Sequence, residues 1–364
     1  MARKRLVIKI GSSSLTTKDG QLSIDNINHY TRMIADLKRR GHDIILISSG
    51  AVAAGFTRLG YPARPVTVAG KQAAAAVGQN LLMQAYADCF SKEQLVAAQL
   101  LLTRHDFVEE EQYRNAFNTL DELLKRHVIP IINENDSIAV DELTFGDNDM
   151  LSALVSGFVH ADQLIILTDI DGIYDANPIE NPHATKYSHL TGVSDQLMAS
   201  ASGSSSKVGT GGMKSKLEAA RTAHMMGVPV FIGTAAEEQS LVQVVKGNGS
   251  GTYLYPHSLK VMKNKQQWLA FHSLSSGKII IDDGAEKAVL KRGKSLLPVG
   301  IKEVEGHFSS GAVVDVFNEN GRLIGRGKIN YDAGDLLKIL DCIDGIGGVK
   351  QREAIHRDQW FSIL

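Results

Sequence analysis

Short apolar runs alternate with longer segments of helical periodicity through the first two-thirds of the chain. The apolar runs are 5–10, 43–48, 95–101, 128–132, 163–168 and 228–233, and the helical segments are 25–40, 70–91, 111–126, 148–159 and 213–226. Most of the runs are apolar at consecutive positions, which is typical of parallel strands covered on both faces. The pattern therefore predicts an α/β fold in which helices sandwich a mostly parallel sheet.

The pattern changes after about residue 274, where short strands are punctuated by glycine and NENGR (318–322) predicts a tight turn. Before that point, 257–273 is polar, basic and without clear periodicity. A chain of 364 residues is long enough for two domains. We predict an α/β domain at 1–256, a linker at 257–273 and a small β-rich domain at 274–364.

Charge and cysteine content narrow the class of protein. The 39 basic and 40 acidic residues give no overall attraction to nucleic acid or to an anionic membrane. The two cysteines, Cys89 and Cys342, are far apart, which fits a reducing compartment and excludes a cysteine-based structural zinc site. With no apolar run of about 18 residues and no signal-peptide pattern, we expect a cytoplasmic protein without a membrane span.

Polar residues follow the predicted strands at their carboxyl ends. Lys9 and GSSS (11–14) follow the first strand, and SSGA (48–51) follows the second. Later strands are followed by NENDS (133–137) and TDIDGIYDANP (168–178). In open α/β sheets ligands bind at this edge, so the sequence predicts a polar crevice there.

The segment GTGGMKSK (209–216) precedes a predicted helix. Its glycines let backbone N–H groups approach an oxyanion, and the helix N-terminus adds a positive dipole end. Lys214 and Lys216 are two residues apart at the helix start and point in different directions, so we expect only one to reach a phosphate. The alternative is a glycine-rich surface loop with solvated lysines. Neither a P-loop nor a dinucleotide fingerprint is present.

Two further sets of polar residues could take part in chemistry. Lys9 ends an apolar strand just before a glycine-serine turn, where a lysine either faces a crevice or lies exposed. Asp147, Asn148 and Asp149 precede a predicted helix, and one of them is expected to cap it. The remaining carboxylate and amide are then available to a cationic or metal-bound ligand. No metal-ligating residue is assigned.

Eight ordered segments resemble the amino-acid kinase family. They are VIKIGSSSLT, ISSGAVAAG, KQAAAAVGQ, LLTRHD, INENDS, FGDNDMLSALVS, LLTDIDGIYDANP and GTGGMKSKLEAA. The resemblance covers roughly 1–256, and 277–331 resembles a PUA domain. The resemblance to the amino-acid kinase family implies ATP-dependent phosphorylation of the γ-carboxylate of L-glutamate to γ-glutamyl phosphate, the first step of proline biosynthesis. It implies ATP and Mg²⁺ as cofactors. It also implies proline as a feedback inhibitor, a homo-oligomer and a glutamyl phosphate reductase as partner.

The same resemblance assigns roles to individual residues. As catalytic residues it implies Lys9 and Lys216, which flank the transferred phosphoryl group, and Asp149, which orients them. The implied glutamate contacts are Ser49, Asp136 and Asn148. The implied ATP contacts are Lys9, Gly11, Thr168, Asp169, Thr210, Gly211, Gly212, Met213, Lys214, Ser215 and Lys216. Some members carry a lysine where this chain has Thr144 and Phe145, so that lysine's role has no counterpart here.

The implied reaction agrees with the chemistry of these side chains. A glutamate carboxylate is already ionised at neutral pH, so it needs no general base, and two lysines with Mg²⁺ would offset the charge of an anion approaching a phosphate. Asp136 could pair with the α-ammonium of free glutamate.

Other readings of the sequence remain open. The substrate could be that of a related kinase, which acts on aspartate, N-acetylglutamate, carbamate or UMP. Alternatively, the predicted C-terminal domain at 274–364, here called the tail, could bind RNA. The tail has equal numbers of basic and acidic residues, although KAVLKRGK (287–294) is locally positive, and we expect no nucleic-acid partner.

Overall fold

The computed structural model describes residues 2–17, 19–138, 148–178, 180–201, 212–256, 264–341 and 352–363. The chain divides into two compact units. The first comprises Met1–Asp106 and Arg114–Val261, and the second comprises Phe107–Tyr113 and Met262–Leu364. The division between residues 261 and 262 falls inside the interval predicted as a linker, and part of that interval, Asn264–Phe271, is helical.

Strands and helices alternate along the first unit. The strands up to residue 254 are β1 (Arg5–Ile10), β2 (Asp43–Ser48), β3 (Ala97–Leu102), β4 (Ile129–Glu134), β5 (Gln163–Leu167), β6 (Ile173–Tyr174), β7 (Lys186–Tyr187), β8 (His189–Leu190), β9 (Val230–Gly233) and β10 (Gly251–Leu254). The helices up to residue 246 are α1 (Ser12–Leu15), α2 (Ile24–Arg39), α3 (Ala51–Gly55), α4 (Val68–Lys92), α5 (Arg104–Val108), α6 (Glu110–Lys125), α7 (Asn148–Phe158), α8 (Asp195–Ser200), α9 (Met213–Met225) and α10 (Ser240–Lys246). The end of α5 and the start of α6 belong to the second unit.

Within the described residues, eight strands form one sheet in the order β3-β4-β2-β1-β5-β9-β10-β8. The neighbours from β3 to β9 pair in parallel, and β10 runs antiparallel to β9. The predicted α/β fold with a mostly parallel sheet is confirmed. Strands β2 and β5 flank β1 on opposite sides, so the direction of strand addition reverses at β1. In open α/β sheets a ligand-binding crevice forms at this topological switch point, beyond the carboxyl ends of the strands.

Helix α2 illustrates why the helical segments form where the sequence predicts them. The Ser23 side chain accepts a hydrogen bond from the backbone N–H of Asn26, which satisfies one free donor of the first turn. Asp25 lies near the positive end of the helix dipole, and Lys38 and Arg39 lie near the negative end. The apolar face of the helix, which includes Ile27, Met33, Ile34 and Leu37, is buried in the core beneath the sheet.

Helices α3 and α4 approach each other closely at two glycines. A Cβ atom on Gly78 would lie 1.8 Å from the carbonyl oxygen of Ala51, and one on Gly55 would lie 2.6 Å from the backbone nitrogen of Gly78. Only residues without a side chain fit such a contact. The contact fixes α3, which begins two residues after Ser49 at the carboxyl end of β2.

The second unit contains a smaller sheet. Its elements are α11 (Asn264–Phe271), β11 (Gly277–Ile281), α12 (Asp283–Arg292), β12 (Ile301–Gly306), β13 (Val313–Asn318), β14 (Leu323–Ile329), α13 (Ala333–Asp341) and β15 (Ile355–Ser362). Among the described residues the sheet has five strands in the order β12-β11-β13-β14-β15. The β-rich prediction is confirmed. The strand pattern did not predict α12, which follows β11 directly because the Asp282 side chain accepts from the backbone N–H of Ala285.

The segment Phe107–Tyr113 belongs to the second unit. The indole of Trp268 donates to the carbonyl of Val108 over 3.0 Å, and the Phe107 and His272 rings lie 5.4 Å apart. In the part of the chain that the structure describes, no helix is both long and apolar enough to cross a membrane.

Candidate active site

Three charged side chains meet at the carboxyl edge of the large sheet. Lys9 lies on β1 beside Ile47 of β2 and Ile166 of β5, Asp149 lies in the first turn of α7, and Lys216 lies in the first turn of α9. Their exposed fractions are 4%, 0% and 8%, respectively. Charged residues are almost never this buried unless they are paired.

Asp149 pairs with both lysines. Its Oδ1 lies 2.5 Å from the Nζ of Lys9, and its Oδ2 lies 3.1 Å from the Nζ of Lys216. The Ser215 hydroxyl also donates to Oδ2 over 3.0 Å, and the Ser152 hydroxyl donates to the Asp149 carbonyl over 2.6 Å. The carboxylate therefore sets the positions of two ammonium groups that come from separate elements.

The electrostatics of this cluster follow from its charges. Burial by itself raises the pKa of Asp149, but the attraction and hydrogen bonds of Lys9 and Lys216 outweigh it and lower the pKa from 3.8 to about 2. Asp149 is therefore ionised at neutral pH. Two ammonium groups and one carboxylate leave one net positive charge, which suits an anionic ligand.

The two lysines at the start of α9 point to different sides, as their spacing predicts. Lys216 is buried against Asp149, whereas the Lys214 side chain is 54% exposed and lies 4.0 Å from Glu218 one turn later. Gly212 is the N-cap residue of this helix, and Met213 is its first residue. Thr210 and Gly211 lie outside the described residues.

Asn148, the neighbour of Asp149, links the ends of β2 and β4. Its Nδ2 lies 2.9 Å from the Ser49 hydroxyl, 3.1 Å from the Ser48 carbonyl and 2.8 Å from the Oδ1 of Asn133. An amide nitrogen carries two hydrogens, so the three acceptors must share them. The Oδ1 of Asn148 is buried and accepts no hydrogen bond within the described part of the chain. Asp147, Thr144 and Phe145 lie outside that part, which leaves the expected helix cap untested.

Asp136 lines a cavity of about 300 Å³ just beyond β4, together with Glu134 and residues of α4. Burial raises the pKa of Asp136, and the nearby charge of Arg64 opposes that rise. The structure thus places Ser49 and Asn148 in direct contact and Asp136 in a neighbouring acidic cavity.

The remaining predicted nucleotide contacts lie beside β1 and β5. A Cβ on Gly11 would lie 3.6 Å from the Nζ of Lys9 and 3.8 Å from the carbonyl of Leu167, so this glycine leaves the space above Lys9 open. Thr168 is buried, and its hydroxyl donates to the exposed Asp169 over 3.0 Å. In the described ranges, no three His, Cys, Asp or Glu side chains stand together as metal ligands.

The sequence patterns missed two residues of this network. Asn133 and Gln79 occur in the sequence motifs INENDS and KQAAAAVGQ, but neither was assigned a role of its own. The Nδ2 of Asn133 donates to the Oε1 of Gln79 over 2.9 Å. A signal for Gln79 exists, because helical spacing places it on the same face of α4 as Ala75 and Leu82, which are both buried. A buried amide on an alanine-rich face needs a partner.

Two family models match the chain. The model of the amino acid kinase family matches residues 4–234, and that of the PUA domain matches residues 277–343. These matches cover most of both units.

Two bacterial proteins are similar to this one over the whole chain. Glutamate 5-kinase 1 of Bacillus licheniformis is 54% identical over 364 residues, covering 100% of both chains, and glutamate 5-kinase 1 of Bacillus subtilis is 53% identical with the same coverage. Among solved structures, carbamate kinase from Giardia lamblia bound to AMP-PNP has a TM-score of 0.52 at 17% identity. The match covers 70% of this chain and 99% of that chain, and indicates a shared fold.

Proposed function

This chain belongs to the amino acid kinase family, and from that premise we propose that it transfers the γ-phosphoryl group of ATP to the γ-carboxylate of L-glutamate. Relatives named glutamate 5-kinase, which match it from end to end at 53–54% identity, support this substrate. The observation that carries the mechanism is the buried carboxylate of Asp149 shared by Lys9 and Lys216.

The proposed chemistry is electrostatic. The γ-carboxylate of glutamate is ionised at neutral pH and attacks phosphorus directly, so the step needs no general base. Lys9 and Lys216 donate hydrogen bonds to the oxygens on which charge develops, and each acts in a site with little water. Asp149 is the positioning residue, because it fixes both ammonium groups before the substrates arrive.

Glutamate is recognised, in this proposal, by Ser49, Asn148 and Asp136. The acidic cavity around Asp136 suits an α-ammonium group, which is present in free glutamate and absent from N-acetylglutamate. The buried Oδ1 of Asn148, which accepts no hydrogen bond from the described residues, offers a further acceptor.

ATP would contact Gly11, Thr168, Asp169 and the residues at the start of α9, with the N-terminus of that helix facing its phosphates. Magnesium bound with ATP would neutralise charge on the β- and γ-phosphates. Mg²⁺ is ordinarily held by substrate phosphates with one or two carboxylates, and both oxygens of Asp149 are already held by lysines. We assign the ion no protein ligand.

Further aspects of the proposal rest on the family resemblance alone. They are inhibition by proline, a homo-oligomeric state and delivery of the acyl phosphate to a reductase, whereas the cytoplasmic location is proposed from the cysteine content and hydropathy of the sequence. The domain limits 1–256, 257–273 and 274–364 also remain predictions.

Substrate specificity is tested by ADP release and hydroxylamine trapping. An acyl phosphate reacts with hydroxylamine to give a coloured iron hydroxamate, so each candidate acid can be compared in one assay. We expect hydroxamate with L-glutamate, and a kcat/KM at least a hundredfold lower with aspartate or N-acetylglutamate. Preference for either of these acids would overturn the proposed substrate.

A further inference from the structure

Gln79 lines the cavity beside the proposed active site and carries a buried hydrogen-bond donor. The residue is 9% exposed, and its Oε1 accepts from the Nδ2 of Asn133 over 2.9 Å. Its Nε2 is buried and has no hydrogen-bond partner among the residues that the structure describes. A buried amide nitrogen without an acceptor destabilises the protein, so a ligand that accepts a hydrogen bond from it removes that cost.

The charge of the cavity limits which ligand group can lie there. Glu134 and Asp136 contribute carboxylates to its wall, and no lysine or arginine lies among its described lining residues. The carboxylates suit an ammonium group. A carboxylate on the same ligand finds no cation among these lining residues, and Gln79 supplies a buried neutral donor.

Hydrogen bonds connect the cavity to the lysine cluster. Gln79 accepts from Asn133, Asn133 accepts from Asn148, and Asn148 precedes Asp149 at the start of α7. A ligand whose reacting carboxylate faces Lys9 and Lys216 thus has its other end directed along this chain of amides toward Gln79.

We propose that Gln79 determines specificity by donating a hydrogen bond from Nε2 to the α-carboxylate of the substrate. The inference rests on the proposed function, since it assumes an amino-acid substrate phosphorylated on its side chain. The two polar atoms of the Gln79 amide then have different roles. Oε1 orients Asn133, and Nε2 distinguishes an α-amino acid from an amine such as 4-aminobutyrate, which has the reacting carboxylate and the ammonium but lacks the α-carboxylate.

Gln79→Glu separates these tasks, because it keeps an oxygen toward Asn133 and removes the donor. We expect the KM for glutamate to rise at least tenfold, with the KM for ATP within twofold of its original value. The inhibition constant of 4-aminobutyrate against glutamate should stay within twofold, since that compound has no α-carboxylate to lose a contact. If 4-aminobutyrate does not inhibit the original enzyme, the KM values for glutamate of Gln79→Glu and Asn80→Asp are compared instead.

Asn80→Asp is the matched control for added charge, because Asn80 is the exposed neighbour on the same cavity wall. We expect its KM for glutamate to rise by much less. Equal rises in the two variants, or a KM for Gln79→Glu within twofold of the original, would overturn the assignment.

Gln79→Met provides a second test should the glutamate variant fail to fold, as judged by thermal unfolding. It removes both polar ends, so the KM for glutamate should rise at least tenfold and kcat should fall as Asn133 loses its partner; an unchanged KM would overturn the assignment.

If the original enzyme does not phosphorylate glutamate, the proposed function is wrong. Direct titration of glutamate binding to the original protein and to Gln79→Glu then still tests the contact. A tenfold loss of affinity would support it, and equal affinities would overturn it.

Discussion

The ammonium of Lys9 lies 2.5 Å from the Oδ1 of Asp149, and both residues are almost completely removed from water. The lysine comes from the central strand of the sheet and the aspartate from the start of α7, so the contact joins two elements at the sheet edge. The second carboxylate oxygen of Asp149 pairs with Lys216 in the same way. The result is a rigid pair of cations with one net positive charge.

Removing either cation should slow phosphoryl transfer without unfolding the protein. We expect Lys9→Ala and Lys216→Ala each to lower kcat by about 10²–10³, the usual loss for one preorganised charge-stabilising group. The rate is measured by hydroxamate formation at saturating ATP and glutamate, with circular dichroism as the check on folding.

Lys214→Ala is the matched control for these variants, because Lys214 starts the same helix turn but is exposed. Its kcat at saturating ATP should fall less than threefold, and loss of its implied ATP contact should appear only in the KM for ATP. A folded Lys216→Ala enzyme with a normal kcat, or a Lys214→Ala enzyme as slow as it, would refute the assignment of Lys216.

Asp149→Asn should destabilise the fold in a pH-dependent way. The pKa of Asp149 is lowered from 3.8 to about 2, so its ionised form contributes stability that is present above pH 4 and is lost as the pH falls toward 2. The difference in free energy of unfolding between the two proteins should be about 2 kcal/mol at pH 7 and shrink below pH 4. Urea unfolding at pH 7, 4 and 3 measures it. A difference that is constant over this range would contradict the ion-pair account.

Asp136→Asn should weaken glutamate binding far more than ATP binding. The KM for glutamate should rise at least tenfold, because the α-ammonium loses its carboxylate partner. In the original enzyme, burial raises the pKa of Asp136, so glutamate binding should weaken on acidification above the ordinary aspartate range. Initial rates between pH 4 and 8 check both effects. Equal changes in both KM values, or the same pH dependence in the variant, would point to a structural role instead.

Gly78→Ala should lower stability and displace α3, which follows the proposed glutamate contact Ser49. The added methyl would lie 1.8 Å from the carbonyl of Ala51, so α3 must move, and overpacking of this kind costs about 1–3 kcal/mol or more. We expect a lower urea midpoint and a higher KM for glutamate. Gly192→Ala is the control, since its methyl would meet nothing within 4 Å. Equal stability of the two variants would show that the close contact is not needed.

The large sheet was predictable because its strands are buried on both faces and therefore read as unbroken apolar runs. The run at 163–168 and the strand Gln163–Leu167 differ by one residue. The short elements were not predictable, since β8 and α3 contain only two and five residues and carry no periodic pattern. The helix α12 was not predicted because its capping residue, Asp282, directly follows the apolar residues of β11, with no turn signal between strand and helix.

The site was partly predictable for a different reason. Lys9 and the start of α9 are conspicuous in sequence because a lysine at the end of a buried strand and a glycine-rich helix start are rare. That Asp149 pairs with both lysines depends on where α7 and α9 meet in space, which no local pattern records. Gln79 appears in sequence as one polar residue in an alanine-rich helix, and its importance follows only from the contact with Asn133.

Isotope transfer tests the central claim most directly, namely that a carboxylate oxygen of glutamate attacks the γ-phosphorus of ATP beside Lys9 and Lys216. L-Glutamate labelled with ¹⁸O in its γ-carboxylate is incubated with ATP, magnesium and hydroxylamine, and the released phosphate is analysed by mass spectrometry. Hydroxylamine displaces phosphate at the acyl carbon, so we predict one ¹⁸O atom in each phosphate and none in ADP. Unlabelled phosphate, or ATP consumption that does not depend on glutamate, would contradict the account.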